Sequence, residues 1–458
     1  MLGTMRRFPK TSVAGAGLLA LMLAGCTGTA NGGEPDPKPS AAAVEQSCGE
    51  RQQAISRTLS SGAAWAMCWS VDPKLGMVLS DITFVPPGAD AIPVISRMSL
   101  AQLEVPYDSG KRLTSDITSA GFGGPNMHTI TDAECPAERL SIAIPNVGDG
   151  SKFGSSPVRE VLCSQETDSA LSYRSGDLGQ VVAKRKQDWQ LSTISKVGWY
   201  EYVNQVTFGA DGSIRPSLGA TGDLSPVDYS DAKHGWPVGP GDHDHAASHS
   251  HNAVWKIDWA LGGESGQKVE QFDAKDTGKL GTDELGKASP IVNGTLTPIP
   301  KPASARWTDR RWWRVLAPGK VNADKHPISY QIDMAKTDRF TFVDDAEHHG
   351  SDAGYDVAFT NADECQVFAT MNRGRCGRGV PEYVELGKDQ PLDNVVTWVA
   401  VGYHHVPRDE DQSPMEMHWQ GFNLLPRDLT SRRVDVPQER ESLNGKPEDW
   451  DGQMPPKE

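Results

Sequence analysis

Residues 200–214 read YEYVNQVTFGADGSI, in which aromatic and β-branched residues alternate with polar ones up to an Asp-Gly pair. Alternation with a period of two predicts a strand over residues 200–208, because successive side chains of a strand point to opposite faces. Asp211 and Gly212 are typical of the tight turn of a β-hairpin, so a second strand is expected from Ile214. The stretch therefore predicts an antiparallel hairpin.

The same pattern extends outward over most of the chain. Short runs rich in Val, Ile, Thr and aromatic residues, such as residues 76–84, lie between Gly, Pro, Asn and Asp signals, and long amphipathic helical patterns are nearly absent. This distribution is typical of an all-β protein, and large β-sandwiches run this long as single units. Two segments depart from it, the Gly- and His-rich residues 231–250 and the Pro- and Lys-rich residues 291–305. Both are expected to be surface loops.

The N-terminus has the form of an export signal. Three basic side chains in the first ten residues precede an apolar stretch, residues 13–23, that is too short for a stable membrane span. It ends in Leu-Ala-Gly-Cys at positions 23–26, which resembles a bacterial lipobox, although a secretory signal with a chance cysteine is the alternative. We expect the signal peptide, residues 1–25, to be removed and Cys26 to carry a lipid. The exported chain would then be anchored to the outer face of a bacterial membrane, in the cell envelope.

Composition divides the rest of the chain into three parts. Residues 26–47 lack periodicity and are rich in Gly, Pro, Ala, Thr and Glu, which indicates a flexible tether. The globular domain is expected over residues 48–425, followed by a polar tail over residues 426–458. Acidic residues outnumber basic ones by 60 to 45, which argues against nucleic acid as a partner and is compatible with small cationic substrates.

Cysteines beyond the lipobox number six, and none forms the CxxC pattern of a zinc or redox site. An even count in an exported chain favours structural disulfides, although spacing does not determine which residues pair. The six fall into neighbouring pairs along the sequence: Cys48 and Cys68, Cys135 and Cys163, and Cys365 and Cys376.

A metal site is predicted from histidines in two distant segments. His249 and His251 open a predicted strand over residues 249–258, and side chains two apart on a strand point the same way, so both imidazoles can bind one ion. A third ligand can come from residues 401–408, which follow another predicted strand and contain adjacent histidines. Three neutral imidazoles with open coordination positions suit Cu(II) or Zn(II). The alternative is loose metal binding by the histidine-rich loop, at His234, His243 and His245.

Several motifs, taken together and in this order, resemble those of the copper amine oxidases. Residues 97–107 and 196–202 resemble the segments around that family's active-site tyrosines, residues 249–258 match its HxH-strand-Asp pattern, and residues 402–411 resemble its third-ligand motif. The resemblance runs from about Trp69 to Leu425. It implies a large antiparallel β-sandwich and a homodimer.

The resemblance also assigns roles to single residues. His249, His251 and His405 become the copper(II) ligands, with His404 as a neighbour. Tyr200 takes the position of the tyrosine that copper and oxygen convert into the quinone cofactor topaquinone, and Tyr107 that of the tyrosine that hydrogen-bonds the quinone. Two departures flank Tyr200, since Trp199 replaces the family's Asn and Lys196 its Thr.

The family's catalytic base is an aspartate before a Gly-rich turn, and here Ser119 occupies that position. A serine cannot act as a carboxylate base at neutral pH. Asp116 is the nearest carboxylate, but three residues along a strand reverse the face, so it would serve only if the chain is locally re-registered. A solvated turn residue is the alternative for Asp116.

The resemblance further implies a bridge between Cys135 and Cys163. The family's outer cation site keeps Asp258 but has Ala260 and Asn394 at other ligand positions, which argues against calcium there. The expected function is oxidative deamination of a small primary amine by oxygen, giving an aldehyde, ammonia and hydrogen peroxide. The alternative is a non-catalytic copper-binding lipoprotein that retains the fold, an interpretation that Ser119 and Trp199 favour.

Overall fold

The computed structural model describes residues 46–436, apart from 145–156, 176–180, 242, 264, 283–287, 309, 335–353 and 413. The predicted export signal, Cys26, nearly all of the tether and residues 437–458 of the tail lie outside the described residues. Within these limits, no helix is both long enough and apolar enough to cross a membrane.

Strands make up most of the described chain. In order they are β1 (Gln53–Thr58), β2 (Ala64–Asp72), β3 (Gly76–Val85), β4 (Ile92–Pro106), β5 (Leu113–Ser115), β6 (Glu138–Ala143), β7 (Val158–Ser175), β8 (Val182–Val197), β9 (Tyr200–Gly209), β10 (Ile214–Gly222), β11 (Gly235–Pro237), β12 (His245–Ala247), β13 (His249–Trp259), β14 (Lys268–Thr282), β15 (Ala288–Ile299), β16 (Ala303–Ala305), β17 (Trp312–Val321), β18 (Pro327–Met334), β19 (Val357–Asn361), β20 (Val395–His405) and β21 (Met415–Arg427).

Helical segments are few and short in the same residues. They are α1 (Asp116–Ser119), α2 (Val380–Gly387) and single 3-10 turns at Gly124–Asn126, Pro226–Asp228, Leu261–Gly263 and Asp409–Asp411.

The described strands form two large antiparallel sheets and one small hairpin. The first sheet has the order β1-β2-β3-β4-β13-β20-β19-β16, with β5 also paired to β4, and the second has the order β15-β14-β17-β18-β21-β10-β9-β8-β7-β6. The predicted hairpin is β9 and β10, which pair antiparallel with Phe208 opposite Ile214. The all-β prediction is confirmed.

Large aromatic side chains fill the space between the two sheets. Trp65 of the first sheet lies 4.8 Å from Phe84 of its own sheet and 5.1 Å from Phe208 of the second sheet, measured between ring centroids. Trp255 of the first sheet contacts Phe422 of the second at 5.4 Å. These side chains are all buried, so the core of the predicted β-sandwich lies between the sheets.

Two sequence-based expectations need correction at the level of elements. Most of residues 291–305 is not a loop, because β15 pairs with β14 over much of its length. The strand tolerates Pro290 and Pro298 because it lies at the edge of the second sheet. The His-rich segment contains the small β11–β12 hairpin, and its last residues belong to β13.

The predicted domain boundary at residue 425 lies inside β21, which ends at Arg427. Leu429 and Asp435 beyond it are buried, so the first residues of the expected tail pack on the domain. Three disulfides join the neighbouring pairs, namely Cys48 to Cys68, Cys135 to Cys163 and Cys365 to Cys376. The structure thereby supplies the connectivity that spacing had left open.

Candidate metal centre and active site

Three buried histidines meet where β13 and β20 run side by side. His249 lies directly opposite His405 in the antiparallel register, and His251 follows two residues later on the same face of β13. Their side-chain nitrogen atoms lie within 4.8 Å of one another, and all three residues are at most 5% exposed. Imidazole nitrogen atoms at this spacing can bind a single metal ion.

Hydrogen bonds fix which nitrogen of His249 and of His405 faces the centre. The carbonyl of Ala247 lies 3.1 Å from Nδ1 of His249, and a carboxylate oxygen of Asp411 lies 3.0 Å from Nε2 of His405. His249 therefore presents Nε2 and His405 presents Nδ1. Neither ring nitrogen of His251 has a hydrogen-bond partner although both are buried, and a bound metal would satisfy one of them.

The electrostatic environment keeps the three imidazoles neutral, the form that binds metal. Burial lowers the pKa of His249 to about 3 and the pKa of His251 well below its usual range. Burial also lowers the pKa of His405, although the hydrogen bond to Asp411 acts in the opposite direction. His404 lies outside the centre, because its Nε2 pairs with Asp108 at 3.0 Å. The three residues fit a Cu(II) or Zn(II) ion.

Tyr200 reaches this centre from the opposite sheet. Its hydroxyl oxygen lies 2.7 Å from Nε2 of His249 and 3.4 Å from Nδ1 of His405, the two nitrogen atoms that face the centre. The end of β10 packs closely against the backbone of Tyr200 and the residue before it. Gly222 pairs with Tyr200 at φ +104°, and a Cβ at Gly222 would lie 2.5 Å from the carbonyl oxygen of Trp199. Only glycine allows this close approach.

A cavity of about 140 Å³ opens beside Tyr200. Aromatic and apolar side chains form much of its wall, together with one carboxylate and one guanidinium group. The lining residues are Val105, Tyr107, Arg112, Thr114, Asp116, Ser119, Val197, Gly198, Trp199, Tyr200, Tyr202 and Ser225. Such a cavity can admit a small organic molecule to the ring of Tyr200.

Asp116 lies in this cavity, and the alternative of a solvated turn residue is wrong. Strand β5 ends at Ser115, and residues 116–119 form a helical turn, in which side chains three apart share a face. Asp116 is 3% exposed, and the hydroxyl of Tyr202 donates to its Oδ2 at 3.1 Å. Burial raises the pKa of Asp116 to about 6, although hydrogen bonds from Thr114 and Tyr202 act against the shift.

Ser119 and Tyr107 also line the cavity. Ser119 is exposed, and its hydroxyl donates to the carbonyl of Ser115 at 2.6 Å. The ring of Tyr107 stacks on that of His249, with 4.7 Å between centroids. The guanidinium of Arg112 lies over the ring of Tyr107, 4.8 Å from its centroid. The structure thus brings together the predicted metal ligands and the predicted catalytic residues.

The model of the copper amine oxidase enzyme domain matches residues 59–442. The chain belongs to the copper amine oxidase family. A histamine oxidase from Arthrobacter globiformis is 24% identical over 391 residues, and a primary amine oxidase from another Arthrobacter strain is 24% identical over 390 residues. Each alignment covers 80% of this chain, but the chain spans only 55% and 58% of the length of these relatives.

Solved structures of copper amine oxidases have the same fold. A copper-containing benzylamine oxidase from Hansenula polymorpha superposes with a TM-score of 0.68 at 23% identity, covering 81% of this chain and 60% of that one. An amine oxidase from Aspergillus nidulans superposes with a TM-score of 0.66 at 17% identity, covering 81% and 52%.

Within this copper amine oxidase domain, the sequence analysis had missed three residues around the site. Asp411 orients His405, and Tyr202 stacks 5.9 Å from Tyr200 while holding Asp116. His418 lies beside the histidines, with its ring centroid 4.9 Å from that of His405. Burial lowers the pKa of His418 to about 4. The two-residue alternation of β21, in which Gln420, Phe422 and Leu424 point inward, could have indicated this orientation.

The residues predicted at other ion sites, Asp258 and His234, lie beside charged or ionisable side chains of their own segments. Asp258 was predicted at the position of the family's outer cation site, and its Oδ1 lies 3.6 Å from Nζ of Lys256. In the histidine-rich loop, His234 pairs with Asp231 at 3.1 Å. Among the described residues, only His249, His251 and His405 form a group of three or more side chains with metal-binding spacing.

Proposed function

We propose that the protein is a copper- and topaquinone-dependent oxidase of a small primary amine. In this reaction a primary amine, oxygen and water give an aldehyde, ammonia and hydrogen peroxide. The two electrons removed from the amine reduce one oxygen molecule to peroxide. The observation that carries the proposal is the phenol of Tyr200, whose hydroxyl lies 2.7 Å from a buried histidine of the metal group and whose ring borders a cavity with a buried carboxylate.

His249, His251 and His405 would hold the copper ion, and Tyr200 would be the precursor of topaquinone. When bound, these groups supply the redox chemistry that side chains alone lack, with copper and oxygen oxidising the ring and the quinone accepting the electrons of the amine. Tyr107 restricts the position of His249 by stacking on its ring. The stacked ring of Tyr202 similarly supports one face of Tyr200.

Asp116 is the proposed base that removes a proton from the carbon bearing the amine. Its pKa of about 6 suits this task, because the carboxylate is ionised at neutral pH and has a higher proton affinity than an exposed aspartate. Tyr202 donates to Oδ2, which holds the carboxylate at the wall of the cavity. A base supplied from position 116 would make up for the serine at 119.

The second candidate is a copper-binding protein without turnover. Ser119 in place of the usual base favours it, as does Trp199, whose bulky side chain lines the cavity next to Tyr200. The two candidates differ in whether Tyr200 is converted and whether an amine is consumed, while both require the metal.

The experiment is to add copper to the metal-free protein in air and to treat it with phenylhydrazine, which forms a coloured adduct with the quinone. In a sample not treated with phenylhydrazine, a tryptic peptide containing Tyr200 should gain the mass of two oxygen atoms less two hydrogens. Wild type should then release hydrogen peroxide from some member of a panel of primary amines, whereas Tyr200→Phe should bind copper without adduct or peroxide. Copper binding with an unmodified Tyr200 and a silent panel would leave only the second candidate.

Partners and location form a further part of the proposal. The substrates are a small primary amine and oxygen, and two copies of the chain form a homodimer, as is typical of the family. A lipid on Cys26 holds the protein in the cell envelope. Light scattering of the purified protein tests the dimer, since a monomeric mass at micromolar concentration contradicts it.

A further inference from the structure

A fourth histidine, His418, approaches the three-histidine centre from the second sheet. It lies on β21 opposite Ala220 of β10, two residues before the buried Gln420. The amide of Gln420 donates to the carbonyls of His251 and Val401, so this part of β21 packs directly on the strands that carry the ligands. Because side chains two apart share a face of a strand, His418 points toward the same region as Gln420.

The ring of His418 lies at centroid distances similar to those within the group, although its nitrogen atoms lie outside the 4.8 Å spacing that joins the other three residues. The ring of His249 lies 5.0 Å from those of His251 and His405, and the ring of His418 lies 4.9 Å from His405 and 5.4 Å from His251. His418 is thus about as close to two of the three ligands as those ligands are to His249. The partly buried ring of His418 therefore lies beside the three buried imidazoles.

The orientation of the His418 ring leaves one nitrogen available to an ion. The backbone of Glu416 accepts a hydrogen bond from the ring, and Tyr403 stacks against it with centroids 4.5 Å apart and planes 15° apart. The remaining nitrogen, Nε2, is buried and has no hydrogen-bond partner. Burying an imidazole nitrogen without a partner is unfavourable, and coordination of a metal would satisfy it.

We propose that His418 is a fourth imidazole ligand of the metal centre, its Nε2 closing on the ion when the metal binds. Four nitrogen donors suit the tetragonal geometry that Cu(II) prefers. With four imidazoles and the nearby phenol of Tyr200, the centre has fewer positions for water or oxygen than a three-histidine site. This inference rests on the copper site of the proposed function, and it concerns the ligand set only.

The test counts the nitrogen ligands of the copper-loaded full chain. Metal-free wild type receives one equivalent of Cu(II), and pulsed electron paramagnetic resonance measures the number of coordinated imidazoles. His418→Phe removes the nitrogen but keeps a flat ring against Tyr403, and His404→Gln is the matched control, since His404 pairs with Asp108 outside the centre. Thermal unfolding of the metal-free variants checks that each has folded.

Wild type and His404→Gln should show four imidazoles and His418→Phe three, with at least about a 10-fold loss of copper affinity, because even residues that merely support metal ligands contribute roughly 10- to 100-fold. If His418→Phe does not fold, His418→Ala replaces it, and added free imidazole should restore the fourth nitrogen. Three imidazoles in wild type with an unchanged His418 variant overturn this inference but leave the proposed function intact. Failure of wild type to bind copper at all overturns both.

Discussion

Asp116 lies in the cavity beside Tyr200, one helical turn before Ser119, the residue that the sequence motif predicts at the family's base position. A strand would have pointed these two residues in opposite directions, whereas the turn at Asp116–Ser119 gives them a common face. The carboxylate is buried, and the phenol of Tyr202 orients it. A carboxylate at position 116 can therefore reach the region that an aspartate at position 119 would serve.

Replacing Asp116 by Asn should lower kcat/KM for the best amine by about 100- to 10,000-fold, the usual cost of losing a general base. Wild-type kcat/KM should rise with pH through about 6, because only the deprotonated carboxylate accepts a proton and the pKa is raised to that value. Steady-state kinetics from about pH 5 to about pH 8 provides the measurement. The Asp116→Asn substitution should remove this rise of kcat/KM with pH.

Two further variants separate a base from a merely structural residue. Partial desolvation also raises the pKa of Asp81, but this residue is exposed on β3 outside the cavity, so Asp81→Asn should leave the pH profile unchanged. The double variant Asp116→Asn with Ser119→Asp returns a carboxylate to the same face of the helical turn, and it should regain part of the lost activity. An unchanged rise of kcat/KM with pH in Asp116→Asn would contradict the role of Asp116 as the base.

Asp411 should control copper affinity through His405. Its carboxylate accepts from Nε2 of His405 and from the backbone N–H of Arg408, which fixes the ring with Nδ1 toward the centre. Asp411→Asn should weaken copper binding by about 10- to 100-fold, as expected for a residue that orients a metal ligand. Competition with a copper chelator measures this. Glu410→Gln, at an exposed carboxylate of the same turn, should have no effect.

The sequence predicted the residues of this site better than their arrangement. His249 and His251 follow from strand periodicity, but the adjacent histidines at 404 and 405 could be distinguished only through the family motif. The site of Asp116 could not be predicted because a four-residue helical turn has no periodic signal. His418 was missed because a single histidine within a strand usually belongs to the core, and its neighbours come from other strands.

At the level of elements, the β9–β10 hairpin depends on Gly212. This residue has φ +87°, and a Cβ there would lie 3.1 Å from Cγ of Pro426 and 3.2 Å from Cε1 of Phe84. Gly212→Ala should therefore lower the free energy of unfolding by more than the roughly 1–2 kcal/mol that a left-handed conformation costs an L-residue. Urea or thermal unfolding gives the measurement.

Gly88 provides the matched control, because it also has a positive φ, +67°, but a Cβ would meet no atom within 4 Å. Gly88→Ala should show the conformational cost alone, and the difference between the two variants reports the contact with Pro426 and Phe84. Equal losses for both variants would contradict a close-packed turn at Gly212.

Hairpins with local signals could be predicted from the sequence, whereas edge strands could not. The Asp-Gly turn and the alternation on either side define β9 and β10 without reference to the rest of the chain. In β15, Pro290 and Pro298 resemble loop residues, and only the position of the strand at the edge of the second sheet makes them acceptable.

For the molecule as a whole, the site exists because the two sheets face each other. The histidines come from β13 and β20 of the first sheet, while Tyr200 and His418 come from β9 and β21 of the second. Ring contacts such as that of Tyr200 with His251, at 5.0 Å, join groups far apart in sequence. Local patterns can predict each strand, but the order of strands in each sheet decides which side chains meet.

The predicted lipid anchor concerns the molecule as a whole, because it would determine where the chain works. Cys26 lies outside the described residues, and the proposal rests on the Leu-Ala-Gly-Cys motif that follows the apolar stretch of the export signal. Each buried methylene of an acyl chain contributes about 0.8 kcal/mol, so two or more chains give stable attachment. Cys26→Ser should therefore move the protein out of the membrane fraction, while Thr27→Ser should remain in it. Mass spectrometry of the wild-type N-terminal peptide should find a lipidated Cys26, and a mature N-terminus beyond residue 26 without lipid would contradict the anchor.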